Sequence, residues 1–111
     1  MTGDKKSKKL ISDMVEKIVD SYQPLKIVLF GSYARGNPDE DSDIDFFIIK
    51  NTDERPIDRK VRVGEIVSDK KRRVPFEPIV ITQSELEERK RCGDQFIEEI
   101  LSEGEVLYEK R

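Results

Sequence analysis

Apolar and polar positions alternate along the chain with the periods of helices and strands. In residues 4–22, apolar side chains recur every three or four positions, which is the spacing of one helical face. Asp4 is a candidate N-cap for this helix, and Pro24 predicts its end. The apolar face consists of Leu10, Ile11, Met14, Val15, Ile18, Val19 and Tyr22. This segment is therefore predicted to be an amphipathic helix.

Short apolar runs rich in β-branched and aromatic residues predict buried strands. They are residues 25–30 (LKIVLF), 44–49 (IDFFII) and 75–82 (PFEPIVIT). Pro78 has no backbone N–H to donate, so the third strand is expected at a sheet edge or with an irregular start. Between the first two strands, residues 32–35 can open a short helix, and the polar stretch GNPDEDS is expected to be a loop.

The second half of the chain alternates helices with one more strand. Residues 57–72 have apolar positions at helical spacing, interrupted by Gly64. Residues 82–91 form a second predicted helix, for which either Ser84 with Glu87 or Thr82 with Glu85 fits a capping box.

Residues 92–111 complete the predicted order. Gly93 can end the preceding helix, and Asp94 can cap the next one, residues 95–103. Residues 105–109 form a final short strand. The order α-β-α-β-α-β-α-α-β predicts an α/β (α+β) fold with a small mixed sheet flanked by helices. The 111 residues fit one domain, residues 1–111.

The composition excludes several classes of protein. Charged residues make up 41% of the chain but the net charge is only −3, so binding to nucleic acid is not expected. The basic runs 5–9 and 70–73 are better explained by a chain terminus and a predicted helix end. No apolar stretch approaches the roughly 20 residues that span a bilayer, and there is no signal peptide. We therefore expect a cytoplasmic protein.

Histidine is absent and there is a single cysteine, Cys92. His-based catalytic triads, His metal sites and an intrachain disulfide are therefore excluded.

Asp43 and Asp45 are the first candidate site residues. Residues two apart in a strand point to the same face, so both carboxylates are expected to converge. Such a pair repels unless a cation lies between its members, and oxygen ligands favour Mg²⁺ or Mn²⁺. Taken alone, however, this pair is better explained as a solvated turn.

Two further features are weak when each is taken alone. Gly31 and Ser32 follow a predicted strand, and a helix can start at Ser32. Backbone N–H groups at such a helix start would form a phosphate-binding site, here called the phosphate seat. The chain has no Walker pattern. Glu77 is an acid within an apolar strand, which solvent exposure or a basic neighbour also explains.

The combination is more specific. Gly-Ser follows one predicted strand, and after ten further residues Asp-x-Asp leads into the next strand. A later strand has an acid. This order of motifs resembles the DNA polymerase beta-like nucleotidyltransferase superfamily. Within it, GSYARG followed by SDID is similar to the MNT group, the minimal nucleotidyltransferases. The resemblance covers most of the chain.

The resemblance implies roles for individual residues. Gly31 and Ser32 would hold the triphosphate of a nucleotide, ATP or another NTP. Arg35 occupies the arginine position of the family, where a phosphate contact and a structural ion pair are both open.

The acidic residues receive the catalytic roles. Asp43 and Asp45 would ligate Mg²⁺ or Mn²⁺, and Glu77 would be the third carboxylate of the metal site. Glu77 would also be a candidate to accept the proton of the attacking hydroxyl. It departs from the aspartate that is commoner in the family, and Pro78 follows it.

By the same resemblance, the chain is expected to be an enzyme that transfers a nucleoside monophosphate, AMP from ATP, to a hydroxyl acceptor. MNT proteins pair with helical HEPN ribonucleases in toxin–antitoxin systems, which makes a tyrosine of such a partner the expected acceptor. Alternatives are a nucleotide-binding or partner-neutralising module without turnover, and transfer to a small molecule. A homo-oligomer and a hetero-oligomer are both open.

Overall fold

A four-stranded mixed sheet is the centre of the computed structural model, which describes residues 5–39, 41–72 and 74–111. The elements are α1 (Lys5–Tyr22), β1 (Lys26–Phe30), α2 (Ser32–Arg35), β2 (Ile44–Ile49), α3 (Pro56–Ile66), β3 (Phe76–Ile81), α4 (Gln83–Arg91), α5 (Gln95–Glu103) and β4 (Glu105–Glu109). The strand order is β3-β2-β1-β4. The predicted fold class is confirmed, whereas the predicted single domain, residues 1–111, stays a prediction.

Both parallel and antiparallel pairs occur in the sheet. β1 pairs antiparallel with β2 on one side and with β4 on the other. β2 and β3 are parallel, with α3 as the crossover between them. β3 lies at the edge of the sheet, as Pro78 predicted, because the missing N–H of proline is tolerated there.

Each face of the sheet packs against its own set of helices. One face carries Ile44, Phe46 and Ile48 of β2 and is covered by α1 and α3. The opposite face carries Phe47 and Ile49 and is covered by α4 and α5. Since side chains alternate along a strand, Asp45 is on this second face, at the end of β2 that the two helices leave open.

Helix α3 ends earlier than the sequence predicted. It was expected to extend to residue 72, but it ends at Ile66 with Val67 as its C-cap. Val67 is buried, and the chain turns here to reach β3. The guanidinium of Arg72 donates to the Val67 and Val74 carbonyls and closes this turn. The described residues of the basic run 70–73 therefore lie in a turn and not at a helix end.

The predicted caps are largely confirmed. Thr82, and not Ser84, forms the capping box of α4: its hydroxyl accepts from the Glu85 N–H at 3.1 Å. The Glu85 carboxylate accepts in return from the Thr82 N–H at 2.9 Å. Asp94 caps α5, and Gly93 has the positive φ of a helix end. The predicted cap Asp4 lies outside the described residues.

A buried arginine on α3 was not predicted from the sequence. Arg59 donates from Nη1 and Nη2 to the two Glu85 carboxylate oxygens, at 2.8 and 3.1 Å. Its Nη1 also donates to the Val80 carbonyl, and its Nε donates to the Glu54 carbonyl. The guanidinium therefore ties α3 to β3 and to the start of α4.

None of the helices within the described ranges is both long enough and apolar enough to cross a membrane.

The Arg59–Glu85 pair makes a testable contribution to stability. Its hydrogen bonds hold the pKa of Glu85 down at about 2. Because the folded-state pKa lies below the ordinary value of 4.5, the stabilisation is present above that value and is lost as the pH falls towards 2. We expect Glu85→Gln to lower the free energy of unfolding by about 2 kcal/mol at neutral pH, because the buried Arg59 loses its counterion.

Urea denaturation at pH 7, and at intervals below pH 4.5, measures this effect. The exposed Glu87 lies on the same helix, so Glu87→Gln is the control and should change the stability little. Equal losses in the two variants at pH 7 would contradict a structural role for the pair.

Candidate active site

The turn after β1 brings the backbone of Gly31 against the Asp45 side chain. Gly31 has φ +78°, a conformation that residues with a Cβ rarely adopt. A Cβ at this position would lie 2.3 Å from Oδ2 of Asp45, which is closer than any real contact. The backbone conformation therefore favours glycine here, and an added Cβ would have to displace the Asp45 carboxylate.

Helix α2 starts immediately after Gly31, as predicted. The Gly31 carbonyl accepts from the N–H groups of Ala34 and Arg35, each at 3.1 Å. Gly36, in the left-handed conformation, ends this single turn. Ser32 and the start of the helix consequently lie beside Asp45, which brings the two ends of the GSYARG…SDID motif together.

The intervening loop closes on itself. The Asp39 N–H donates to Ser42 Oγ, and the Asp41 N–H donates to Asp39 Oδ1, both at 2.9 Å. Ser42 Oγ also donates to Asp39 Oδ1, at 3.2 Å. These contacts support the prediction that the middle of the motif is a turn. They also fix where the turn ends and Asp43 leads into β2.

Negative charge accumulates where β2 begins. The pKa of Asp45 is raised from 3.8 to about 6, chiefly because the carboxylate is partly buried. The charges of Asp43 and then of Glu77 raise this pKa further, and only Arg35 opposes them. The two other predicted acids and the predicted arginine therefore all act electrostatically on Asp45.

Glu77 is next to Asp45 in the sheet but is paired with a lysine. The parallel register puts the two residues opposite each other. The Nζ of Lys60, on α3, lies 3.1 and 3.0 Å from the Oε1 and Oε2 atoms of Glu77. In the ranges that the structure describes, no three acidic side chains are grouped closely enough to hold a metal ion. The sequence alternative of a basic neighbour for Glu77 is thus the observed arrangement.

Comparison with known proteins identifies the family of this site. Residues 11–107 match the family described as "Nucleotidyltransferase domain". The chain belongs to this family. The predicted membership of the nucleotidyltransferases, and the prediction of a transferase enzyme, are confirmed.

Two known proteins that are similar to this nucleotidyltransferase illustrate the match. A protein of Methanocaldococcus jannaschii, named "Putative protein adenylyltransferase", is 33% identical over 107 residues, which cover 90% of this chain and 96% of that protein. A crystal structure described as a "putative nucleotidyltransferase" from Sulfolobus solfataricus superposes with a TM-score of 0.61. At 21% identity, over 92% of this chain and 79% of the other, it shows a shared fold.

The donor atoms of the nucleotidyltransferase site suit a hard divalent cation. Asp43, Asp45 and Glu77 offer only carboxylate oxygens, which are the ligands that Mg²⁺ and Mn²⁺ prefer. Burial, and after it the charges of Asp43 and Glu77, raise the pKa of Asp45. A bound cation would offset both effects, so the donor chemistry fits the metal that the family implies, although Glu77 would have to leave Lys60 to complete the set.

Sequence reasoning missed two side chains at the site, Lys60 and Phe96. Lys60 is one of several basic residues on α3, so nothing in the pattern distinguishes it. Phe96 is the aromatic residue on the apolar face of α5, which is otherwise aliphatic, and this was the available signal. Its exposed fraction of 49% and its position near Gly31 appear only in the structure.

Substitution of Gly31 tests its close approach to Asp45. Gly31→Ala should destabilise the protein through two effects, the positive φ and the clash with the carboxylate. Gly93→Ala is a matched control, because Gly93 has φ +72° but no atom within 4 Å of an added Cβ. The positive φ is expected to cost about 1–2 kcal/mol in both variants.

Urea denaturation of both variants isolates the clash as the excess loss in Gly31→Ala. Equal losses would show that the Asp45 carboxylate does not press against Gly31.

The raised pKa of Asp45 predicts a pH-dependent gain from removing its charge. The folded state binds the proton more tightly than the unfolded state, so this group destabilises the fold as the pH rises from about 4 to about 6. Asp45→Asn should therefore be more stable than the parent above pH 6. We expect a gain of about 1 kcal/mol after allowance for solvent screening, vanishing below pH 4.

Thermal unfolding between pH 4 and 7.5, in chelator and without added cations, measures the gain. Asp53→Asn, at an exposed aspartate, is the control and should show no such trend. A loss of stability above pH 6 in Asp45→Asn would refute the assignment of uncompensated charge to this site.

Proposed function

We propose that this chain is an Mg²⁺- or Mn²⁺-dependent enzyme that transfers AMP from ATP to a hydroxyl group of a partner protein. The observation that carries the proposal is the contact between Asp45 and Gly31. It sets a carboxylate beside the start of a helix, which supports a metal ligand next to a phosphate seat.

The nucleotide end of the site consists of Gly31, Ser32 and Arg35. The absence of a side chain at Gly31 lets a phosphate approach the backbone. The N–H of Ser32, the first residue of α2, has no acceptor within its own helix. In the described part of the chain, Arg35 forms no ion pair within 4.0 Å. The sequence left two roles open for Arg35, a phosphate contact and a structural ion pair. The lack of an ion pair among the described residues favours the phosphate contact.

The acidic end consists of Asp43, Asp45 and Glu77. In the proposed reaction, the acceptor oxygen attacks the α-phosphorus, the bond from this phosphorus to the bridging oxygen breaks, and pyrophosphate leaves with the bond electrons. The acceptor proton passes to a carboxylate of the site, with Glu77 as the candidate, and from there to solvent. When bound, a divalent cation supplies charge stabilisation for the attacking and leaving oxygens.

The role of Glu77 requires Lys60 to release it. Both side chains are about half exposed, at 46% and 48%, so their ion pair contributes little stability. Displacement of the Lys60 ammonium group from the Glu77 carboxylate by a metal ion therefore costs little free energy. Asp43 and Asp45 have no such competitor within 4.0 Å among the described residues.

A protein acceptor is supported by the name of the relative from Methanocaldococcus jannaschii, a protein adenylyltransferase. We propose a helical HEPN-type partner, modified on a tyrosine, with this chain as the cytoplasmic antitoxin of the pair. In this arrangement the chain acts as one minimal domain, and the partner supplies the acceptor side of the active site in a hetero-oligomer.

Label transfer to the partner tests the proposal. The purified chain, its HEPN-type partner, ATP labelled at the α-phosphate and Mg²⁺ should yield labelled partner. Asp43→Asn and Asp45→Asn should each reduce transfer on the order of 100-fold, since each removes a ligand of the cation that stabilises the transition state. Asp53→Asn serves as the control and should transfer normally.

The same assay separates the alternatives. If ATP binds but no label is transferred, the chain is a nucleotide-binding module without turnover. Undiminished transfer in both aspartate variants would refute the proposed site. Transfer to a small molecule and not to the partner would retain the chemistry and change the acceptor.

A further inference from the structure

A cavity of about 200 Å³ lies beside Gly31, on the side of the site away from Asp43 and Glu77. Its walls come from the end of β1, from α2 and from α5. Gly104, directly before the edge strand β4, also lines it. Since Asp43 directly precedes β2, Asp45 is on β2 and Glu77 is on β3, the cavity and the acids lie on opposite sides of the phosphate seat.

An exposed aromatic ring forms one wall of this cavity. Phe96 is 49% exposed, although Phe is one of the residue types most often buried. Its ring meets that of Phe30 edge to face, with centroids 6.0 Å apart and planes at 85°. The backbone N–H of Phe96 donates to the Asp94 side chain at 3.0 Å, which fixes the start of α5. The ring is thus held in place while much of it stays open to a ligand.

Charge is distributed unevenly around the cavity. Arg35 lines the α2 side, whereas Glu99 and Glu103 line the α5 side. The carboxylates repel a phosphate and accept hydrogen bonds from N–H groups. A ligand with an anionic end at Arg35 and a flat, uncharged end with N–H donors at the carboxylates therefore matches this distribution.

We propose that this cavity binds the purine base of the nucleotide, with Phe96 as the stacking platform and Glu99 as an acceptor for the exocyclic amino group. The inference rests on the proposed function, since it takes the triphosphate to lie at residues 31–35. A base linked through its ribose to that triphosphate reaches the adjoining cavity. Stacking on an aromatic side chain is the usual way in which proteins bind a base face.

The partner protein is a less suitable occupant. A helix is about 10–12 Å across with its side chains, which a cavity of about 200 Å³ does not admit. The acceptor hydroxyl also has to reach the carboxylates of β2 and β3. A second cavity, of about 410 Å³, lies on the β3 side and is lined by Lys60 and Pro78. Phe96 lines both cavities, so its ring separates the base side from the acceptor side.

Binding measurements with two ligands test the proposal. Dissociation constants of ATP and of inorganic tripolyphosphate, both with Mg²⁺, are measured by calorimetry for the parent, Phe96→Ala and Phe96→Tyr. We expect Phe96→Ala to weaken ATP binding about 10-fold and to leave tripolyphosphate binding within about 2-fold, because only ATP has a base to stack. Phe96→Tyr keeps the ring and should bind ATP like the parent.

Ile57→Ala is the matched control, since Ile57 is 58% exposed and also lies in the first turn of a helix, α3. It should leave both affinities unchanged. Circular dichroism confirms that each variant is folded.

The outcomes distinguish this inference from the proposed function. An unchanged ATP affinity in Phe96→Ala, with both ligands bound by the parent, overturns the base site alone. Weaker binding of the partner protein to Phe96→Ala with normal ATP affinity also overturns it, in favour of an acceptor site. A parent protein that binds neither ligand overturns both proposals.

Discussion

The parallel pairing of β2 with β3 is the constraint on which the rest of the structure depends. It sets Asp45 opposite Glu77 and requires a crossover helix, α3, between the two strands. Arg59 on that helix is buried and bonds to β3 and to the capping residue Glu85 of α4. The Arg59 side chain therefore links the crossover helix α3 to the edge strand β3 and to helix α4, and so fixes their position beside the acidic end of β2.

The site itself concentrates unfavourable interactions. Gly31 has a positive φ, and the carboxylate of Asp45 lies against its backbone, partly buried and next to two further acids. Arg35 and Lys60 are the nearby cations, but Lys60 binds Glu77 and only Arg35 lowers the pKa of Asp45. Strained backbone and uncompensated charge are typical of functional sites, where a ligand supplies what the fold lacks. The divalent cation that accompanies a nucleotide would bring the missing positive charge.

Membership of the nucleotidyltransferase family gives these features a common explanation. In the proposed arrangement the nucleotide runs across the end of the sheet, from the cavity at Phe96, past Gly31, to the acids of β2 and β3. The acceptor then approaches from the β3 side, where the larger cavity lies. The sheet order β3-β2-β1-β4 separates the two proposed substrates. The phosphate seat follows β1, whereas the acceptor approaches from β3, on the other side of β2.

The family resemblance linked Gly-Ser with Asp-x-Asp, and the local patterns left Thr82 and Ser84 both open as the cap of α4. Local patterns in the sequence were sufficient for the strands, the short helix α2 and the cap Asp94. These features depend on residues close together in the chain, where backbone geometry alone dictates spacing and direction. Only the tertiary structure decided the end of α3, the burial of Arg59, the pairing of Lys60 with Glu77 and the exposed ring of Phe96. The pairs Arg59–Glu85 and Lys60–Glu77 span 17 or more residues, and the end of α3 and the exposure of Phe96 depend on which parts of an element the rest of the fold covers. Such contacts leave no periodic trace in the sequence, since a buried arginine and an exposed lysine on one helix look alike until the helix is packed.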